Sequence, residues 1–290
     1  MPEQPKVIRK RIRSVSSTKK ITRTMEMVAT AKLKSAQQRV QSSGPYMENL
    51  RQLMAEIGAS GVDVSKWPLF ELRPGNRTLL FVITANRGLC GAFNTNLVRL
   101  ARETYRAKVK DGRDVRLFVA GKKGNSALRF QGFEPERVYI DQLSDRPSVD
   151  DAEYFLNELM TPFLENEVDE VLIVYPHWES LGRQPPTLMR FLPIAPEGIE
   201  APSGPPPIFE PSAAEILDRL LPLYGRQVIY SVLAEAVASE QVARRLAMKL
   251  ASDNATDMVN LLTRQYNRAR QALITKEIAE ILGGSEALKE

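Results

Sequence analysis

The chain has 290 residues, 43% of them hydrophobic and 26% charged, and a formal net charge of +5. That length admits one or two domains, and no apolar run approaches the roughly 20 residues that span a bilayer, which excludes a helical membrane protein. Cys90 and His177 are the only cysteine and histidine, so a disulfide framework, a zinc cluster or a Cys/His dyad would need partners that the chain does not supply.

The first twenty residues are basic and contain serines, as organelle transit peptides do, but they lack the apolar stretch of a secretory signal. Their periodicity continues unbroken into the next residues, so they are read as mature protein, and the absence of a transit peptide points to a bacterial origin. Residues 1–39 hold eleven Lys or Arg against Glu3 and Glu26, a balance of +9 that leaves −4 for the rest of the chain. A segment this basic is either a solvated helix face or seeks an acidic partner: nucleic acid, anionic lipid or an acidic protein surface. Over residues 6–57 only Gly44-Pro45 interrupts, and Leu33, Ala36, Val40, Met47, Leu50, Met54 and Ile57 fall on alternating spacings of three and four, broken at Ser43. Such a narrow stripe predicts a coiled-coil helix, roughly 78 Å long if continuous, with a bend expected at Gly44-Pro45.

The period then changes. Apolar runs at 78–84, 115–120, 138–140, 171–175 and 188–194 read as strands, and helical patterns at 92–110, 122–130 and 149–164 separate the first four. This is the alternation of a parallel sheet covered by helices, with the last two strands antiparallel or joined by a loop. Residues 185–211 hold nine of the nineteen prolines and read as an extended connector. Residues 226–282 contain neither proline nor glycine, and Pro222, Gly225 and Gly283-Gly284 punctuate the ends of the helix they predict. Ala243, Ala247, Ala251 and Ala255 make a small-residue stripe, with Leu246, Leu250, Met258, Leu262, Ala269 and Leu273 as larger apolar neighbours. That stripe admits a close helix partner, and Ala29, Ala31 and Ala36 of the first helix match it.

The predicted fold class is α/β: a long antiparallel coiled coil of N- and C-terminal helices with an inserted Rossmann-like α/β domain. The expected segments are 1–58 (first coiled-coil helix), 75–200 (α/β domain), 201–225 (proline-rich connector and short helix) and 226–286 (second coiled-coil helix). The glycine-bearing turn 84–94 enters a helix where a nucleotide-binding fold would hold phosphate, yet neither G-x-G-x-x-G nor G-x-x-x-x-G-K-[ST] occurs. Gly121-Lys122-Lys123-Gly124 reads as a basic turn, and Asp150 with Asp151 as helix-start capping. No catalytic, cofactor or metal site assembles. Cys90 is read either as a thiol activated at a helix N-terminus or as a small buried side chain.

Four segments carry a family resemblance, in order, almost from end to end. They are Ile12-Arg13-Ser14-Val15 with residues 20–29; Arg87-Gly88-Leu89-Cys90-Gly91; residues 238–241 through 247–249 to Asp253-Asn254-Ala255; and residues 266–271 with 274–281. Together they resemble the gamma subunits of F-type ATP synthases. The resemblance implies a non-catalytic central rotor shaft with no cofactor, whose coiled coil stands inside a head of three alpha and three beta subunits. An acidic hinge loop of each beta subunit would press on it and supply the counter-charge to the +9 segment. The other implied partners are an epsilon subunit and the membrane c-ring, with no nucleic acid, and the implied place is the cytoplasmic face of the bacterial plasma membrane, held peripherally through the complex. Carried over by position, Lys20, Arg23, Met25 and the turn around Cys90 would meet beta-subunit loops. Arg270, Gln271, Thr275 and Glu277 would meet a second set, and Phe209 with Glu210 would lie near the membrane ring. Asn86 stands where the family usually has Asp, and Ala92 where it usually has Gly. The rival readings are a basic coiled-coil nucleic-acid-binding or scaffold protein, against which residues 1–45 offer no stacking aromatic, and an α/β nucleotide enzyme with helical arms.

Overall fold

A computed structural model of the chain describes residues 4–60, 62–63, 66–194 and 209–287. Helix α1 runs Pro5–Ala59, followed by a 3-10 turn at Pro68–Phe70. Then come β1 (Arg77–Ile83), α2 (Phe93–Lys110), β2 (Asp114–Ala120), α3 (Lys122–Phe130), β3 (Arg137–Tyr139), α4 (Val149–Leu164), β4 (Glu170–Pro176), β5 (Pro186–Leu192) and α5 (Ala213–Ala287). Contacts divide the chain into two compact units, one made of Met1–Ala29 with Arg244–Glu290, the other of Thr30–Ala243.

The larger unit is built on a five-stranded sheet in the order β3-β2-β1-β4-β5. β1 pairs parallel with β2 and β4, β2 pairs parallel with β3, and β4 pairs antiparallel with β5. Because successive strand side chains point to opposite faces, β1 divides its run between two cores. Leu80 and Val82 join Leu97, Val98 and Ala101 of α2 and Leu128 of α3. Leu79, Phe81 and Ile83 join Phe155, Leu159 and Phe163 of α4, Met47, Leu50 and Ile57 of α1, and Leu217, Ile229 and Leu233 of α5. The result is three layers, helix over sheet over helix, with β1 and β4 buried along almost their whole length. α4 starts on a capping box in which Ser148 Oγ accepts from Asp151 N–H and Asp151 accepts from Ser148 N–H, as the paired aspartates predict.

On this sheet α1 and α5 lie antiparallel. Ala36 packs with Val237 and Ala238, while further along α1 the Ser43 carbonyl accepts from Gln227 Nε2 at 3.5 Å, so partners descend α5 as α1 advances. Ser43 does not break the seam. It is buried, with its hydroxyl donated to the Val40 carbonyl at 3.0 Å, which satisfies the polar group within the helix. Pro45 is likewise accommodated inside α1.

Expectations are corrected at both ends of α5. The helix begins at Ala213, not at residue 226, with Pro222 inside it. Leu217, Leu220 and Leu221 are buried in the core, and their burial outweighs the lost hydrogen bond of a mid-helix proline. Gly225 is no terminator either: a Cβ there would meet Leu156 Cδ1 at 3.0 Å, so its absence lets α5 approach α4 closely. At the far end the helix also passes Gly283-Gly284 and closes at Ala287. The proline-rich connector lies outside the described residues from 195 to 208.

In the smaller unit α1 buries Ile8, Thr22 and Ala29, and α5 buries Arg244, Met248, Ser252, Ala255 and Leu262. Leu246, Leu250 and Met258, expected beside the alanine stripe, are exposed instead, because the buried line of α5 passes through 248, 252, 255 and 262. The α1 seam extends well beyond Leu33: positions 8, 12, 15, 19, 22, 26 and 29 continue the alternation of four and three, each buried or half-buried.

Electrostatics reinforce the start of the sheet. The Arg77 guanidinium meets Asp169 at 2.9 and 3.1 Å, and the backbone N–H of Arg77 adds a third bond at 2.8 Å. These side-chain bonds hold the Asp169 carboxyl below its ordinary pKa, against the opposing effect of burial. A carboxyl depressed in the folded state contributes stability above its unfolded pKa, near 4, and loses it as pH falls through the depressed value. Unfolding free energy measured from pH 6 down to pH 2 is expected to fall steeply below about pH 4, and Asp169→Asn is expected to be less stable at pH 6 with a shallower acid limb. An unchanged acid limb in the variant would show that other carboxylates carry it.

Candidate partner-contact surfaces

The turn between β1 and α2 is held by bonds within itself and by a backbone bond to β2. Ala85 N–H donates to Asn94 Oδ1 at 2.9 Å, Asn94 Nδ2 donates to Cys90 Sγ at 3.1 Å, and Thr84 N–H donates to the Ala120 carbonyl at 2.8 Å. The amides of Thr84 and Ala85 are therefore engaged within the protein. The segment expected as a basic turn is instead the N-cap and first turn of α3, and its glycines are explained by packing. Gly121 sits at φ +105°, and a Cβ on Gly121 or Gly124 would fall 2.3 or 2.4 Å from Thr84 atoms.

Asn86 donates to the Ile140 carbonyl at 2.8 Å and accepts from Lys122 N–H at 3.0 Å. The donated bond needs an amide, since an ionised aspartate has no proton to give. Cys90 is 2% exposed and anchors the turn from inside. Its outward face is Leu89, 62% exposed at φ +61°, and Arg87, whose guanidinium is 3.6 Å from Asp145. Sequence reading centred this surface on Cys90; the exposed neighbours are what it offers.

Lys20 and Arg23 are exposed on α1, Arg23 pairing with Glu26 at 2.8 Å, and Met25 is half-buried. Beside them Ile21, Met27 and Val28 leave large apolar side chains exposed. Sequence reading missed these three, although their position off the alternating seam was the available signal. On α5 every residue from 270 to 282 is exposed, which includes Arg270, Gln271, Thr275 and Glu277. Thr275 donates its hydroxyl to the Gln271 carbonyl at 3.0 Å, and Arg270 is exposed. Leu273, Ile274, Ile278, Ile281 and Leu282 share that stretch, also exposed. Phe209 is half-buried and packs against the core of the larger unit, with Glu210 exposed beside it.

Helices that keep so many large apolar side chains exposed present the kind of surface that other protein chains cover. A family model described as ATP synthase matches residues 4–288. The ATP synthase gamma chain of Gemmatimonas aurantiaca is 43% identical over 289 residues, covering 98% of each chain. That of Leptospira biflexa is 39% identical over 286 residues, covering 98% of this chain and 99% of its own. Among solved structures, a chain of the Euglena gracilis mitochondrial ATP synthase (OSCP, F1 and c-ring, rotational state 3) superposes with a TM-score of 0.71 at 20% identity, covering 98% of this chain and 94% of that one. A chain of the Tetrahymena thermophila mitochondrial ATP synthase central stalk and c-ring gives 0.59 at 25% identity, covering 80% and 99%. The chain belongs to the gamma-chain family of ATP synthases. The nucleic-acid-binding and nucleotide-enzyme readings have no support from these relatives.

Proposed function

We propose that the chain is the central rotor shaft of an F-type ATP synthase, doing no chemistry of its own and coupling rotation of a membrane c-ring to ATP synthesis or hydrolysis in a head of alpha and beta subunits. The observation that carries this reading is the match to gamma chains over essentially the whole length at about 40% identity. The exposed apolar and basic side chains of α1 and α5 support it, since a shaft needs a surface that its housing can grip.

Lys20, Arg23, Met25 and the turn around Cys90 form one set of contacts with beta-subunit loops, and Arg270, Gln271, Thr275 and Glu277 form another. Phe209 and Glu210 lie toward the c-ring, and an epsilon subunit completes the rotor. The complex sits on the cytoplasmic face of a bacterial membrane, this chain peripheral to it. Work passes as a difference in contact free energy: each orientation of the shaft favours one conformation of a beta subunit over its alternatives. The charged share of that difference is screened beyond about 8–10 Å at physiological salt, so the uneven steric profile carries the rest.

The test is affinity purification of tagged chain from its native membranes, with the eluate assayed for ATP hydrolysis and its subunits identified. Alpha and beta subunits with ATPase activity are expected, together with no hydrolysis by the chain purified alone. A lone chain, or one that copurifies with nucleic acid, overturns the proposal.

A further inference from the structure

A cleft of about 430 Å³ opens within the larger unit between α1 and the loop after β3. Lys32, Ser35 and Arg39 of α1 line one side, and Ser144, Asp145 and Arg146 of the loop line the other. Three cations thus face one carboxylate. Lys32 Nζ meets Asp145 Oδ2 at 2.7 Å, and the same oxygen is shared with Arg87 at 3.6 Å, so the single acid is already divided between two bases. Arg39 donates through Nη1 to Ser35 Oγ at 2.9 Å, while its Nε is buried and has no hydrogen-bond partner among the described residues. That Nε is enclosed by protein, so what the cleft offers a ligand is the net positive charge of its lining, two cations in excess of the one carboxylate.

We infer that this cleft is a binding site for a phosphate-type oxyanion, either free or as the terminal phosphates of a nucleotide. The chemistry of the lining favours that class. A guanidinium fork matches two oxygens of a tetrahedral anion, an ammonium supplies a point charge, and the hydroxyls of Ser35 and Ser144 add neutral donors. Among the described lining residues the only apolar side chain is that of Ala31, and none is aromatic, so a nucleotide base would find no stacking surface there. Affinity resides in the phosphates, and pyrophosphate and ATP bind alike. The site is independent of the rotor reading, because it needs only the larger unit to be folded.

The test is isothermal titration of the full-length chain with inorganic phosphate, pyrophosphate and ATP in magnesium-free buffer, at low and at raised sodium chloride. Saturable one-site binding is expected, tightest for the more highly charged ligands and weakened by salt. Lys32→Gln and Arg146→Gln are each expected to weaken it about tenfold. Arg146 is an exposed loop residue, so its variant keeps the test valid if the α1 variant folds poorly, and circular dichroism checks both. Arg129→Gln on α3, outside the cleft, is the control. Comparable affinity for pyrophosphate and ATP is expected and assigns the ligand as the phosphoryl group; markedly tighter binding of ATP would show that the base contributes and overturns the assignment of affinity to the phosphates. Absence of saturable binding, equal binding by all variants, or equal weakening in the control overturns the proposal.

Discussion

Phe155→Ala is expected to destabilise the larger unit by about 3–5 kcal/mol, the range for emptying a buried aromatic position. Phe155 is 1% exposed and lies at the centre of a ring cluster, 5.5 Å from Phe81, 5.3 Å from Tyr139 and 5.4 Å from Tyr154 between centroids. Each neighbour comes from a different place: Phe81 from β1, Tyr139 from β3 and Tyr154 from α4 itself. Truncation therefore opens a cavity at the junction of sheet and helix, where the strands are fixed by their ladders and cannot close in. Urea unfolding monitored by far-ultraviolet circular dichroism gives the value, and Phe155→Leu, which keeps most of the volume, should lose less than half as much. A loss below about 1 kcal/mol would mean that the cluster relaxes into the gap and that the rings are not tightly packed.

Arg270→Ala is expected to leave the isolated chain unchanged within about 0.5 kcal/mol, because the side chain is exposed and touches no core. In the assembled complex, under the rotor reading, the same substitution removes a charged contact of the kind that costs about 2–5 kcal/mol on truncation, so ATP synthesis should fall by about tenfold or more. Arg270→Lys should restore only part of it, since an ammonium keeps the charge and loses the fork. Lys276→Ala serves as control: it pairs with Glu280 at 3.4 Å on the same exposed helix, and pairs of that kind are worth a few tenths of a kcal/mol. Wild-type synthesis by an assembled Arg270→Ala complex would remove Arg270 from the contact set and leave the shaft reading to its other residues.

The sheet was legible because its strands are buried on both faces: the runs at β1, β2 and β4 are nearly all apolar, and the helices between them carry the longer period. The coiled-coil seam was legible only where its residues are apolar, from Leu33 to Ile57. Its first half escaped notice because Lys19, Thr22 and Glu26 occupy seam positions, the two charged residues half-buried and the threonine buried. Leu246, Leu250 and Met258 misled in the opposite sense, since hydrophobic character marks a surface that will be covered without saying by which chain. Pro222 and Gly225 look like punctuation in a linear reading. Only the packing of α5 on α4 shows that the glycine is a contact and that the proline is tolerated.

Of the candidate contacts, charge and family pattern pointed to Lys20, Arg23 and Arg270, and all three are exposed. Leu89 could not be singled out, because its exposure depends on the left-handed backbone of the turn and on the anchoring of Cys90 by Asn94, neither of which has a periodic signature. Asn86 was visible as a departure from the family pattern. Its reason, a bond donated to the Ile140 carbonyl, became apparent only when strand β3 was placed beside the turn.

The uncovered apolar side chains at the end of α5 also bear on the life of the molecule before assembly. Newly made chains that find no head to enter display Leu273, Ile274, Ile278, Ile281 and Leu282 along one short stretch of helix, attractive to one another and to the quality-control machinery that triages such surfaces. Surplus copies should be short-lived. The steady amount of this chain in a cell is then set less by its own rate of synthesis than by the supply of subunits that hide it, so matched stoichiometry would be enforced by degradation of the excess.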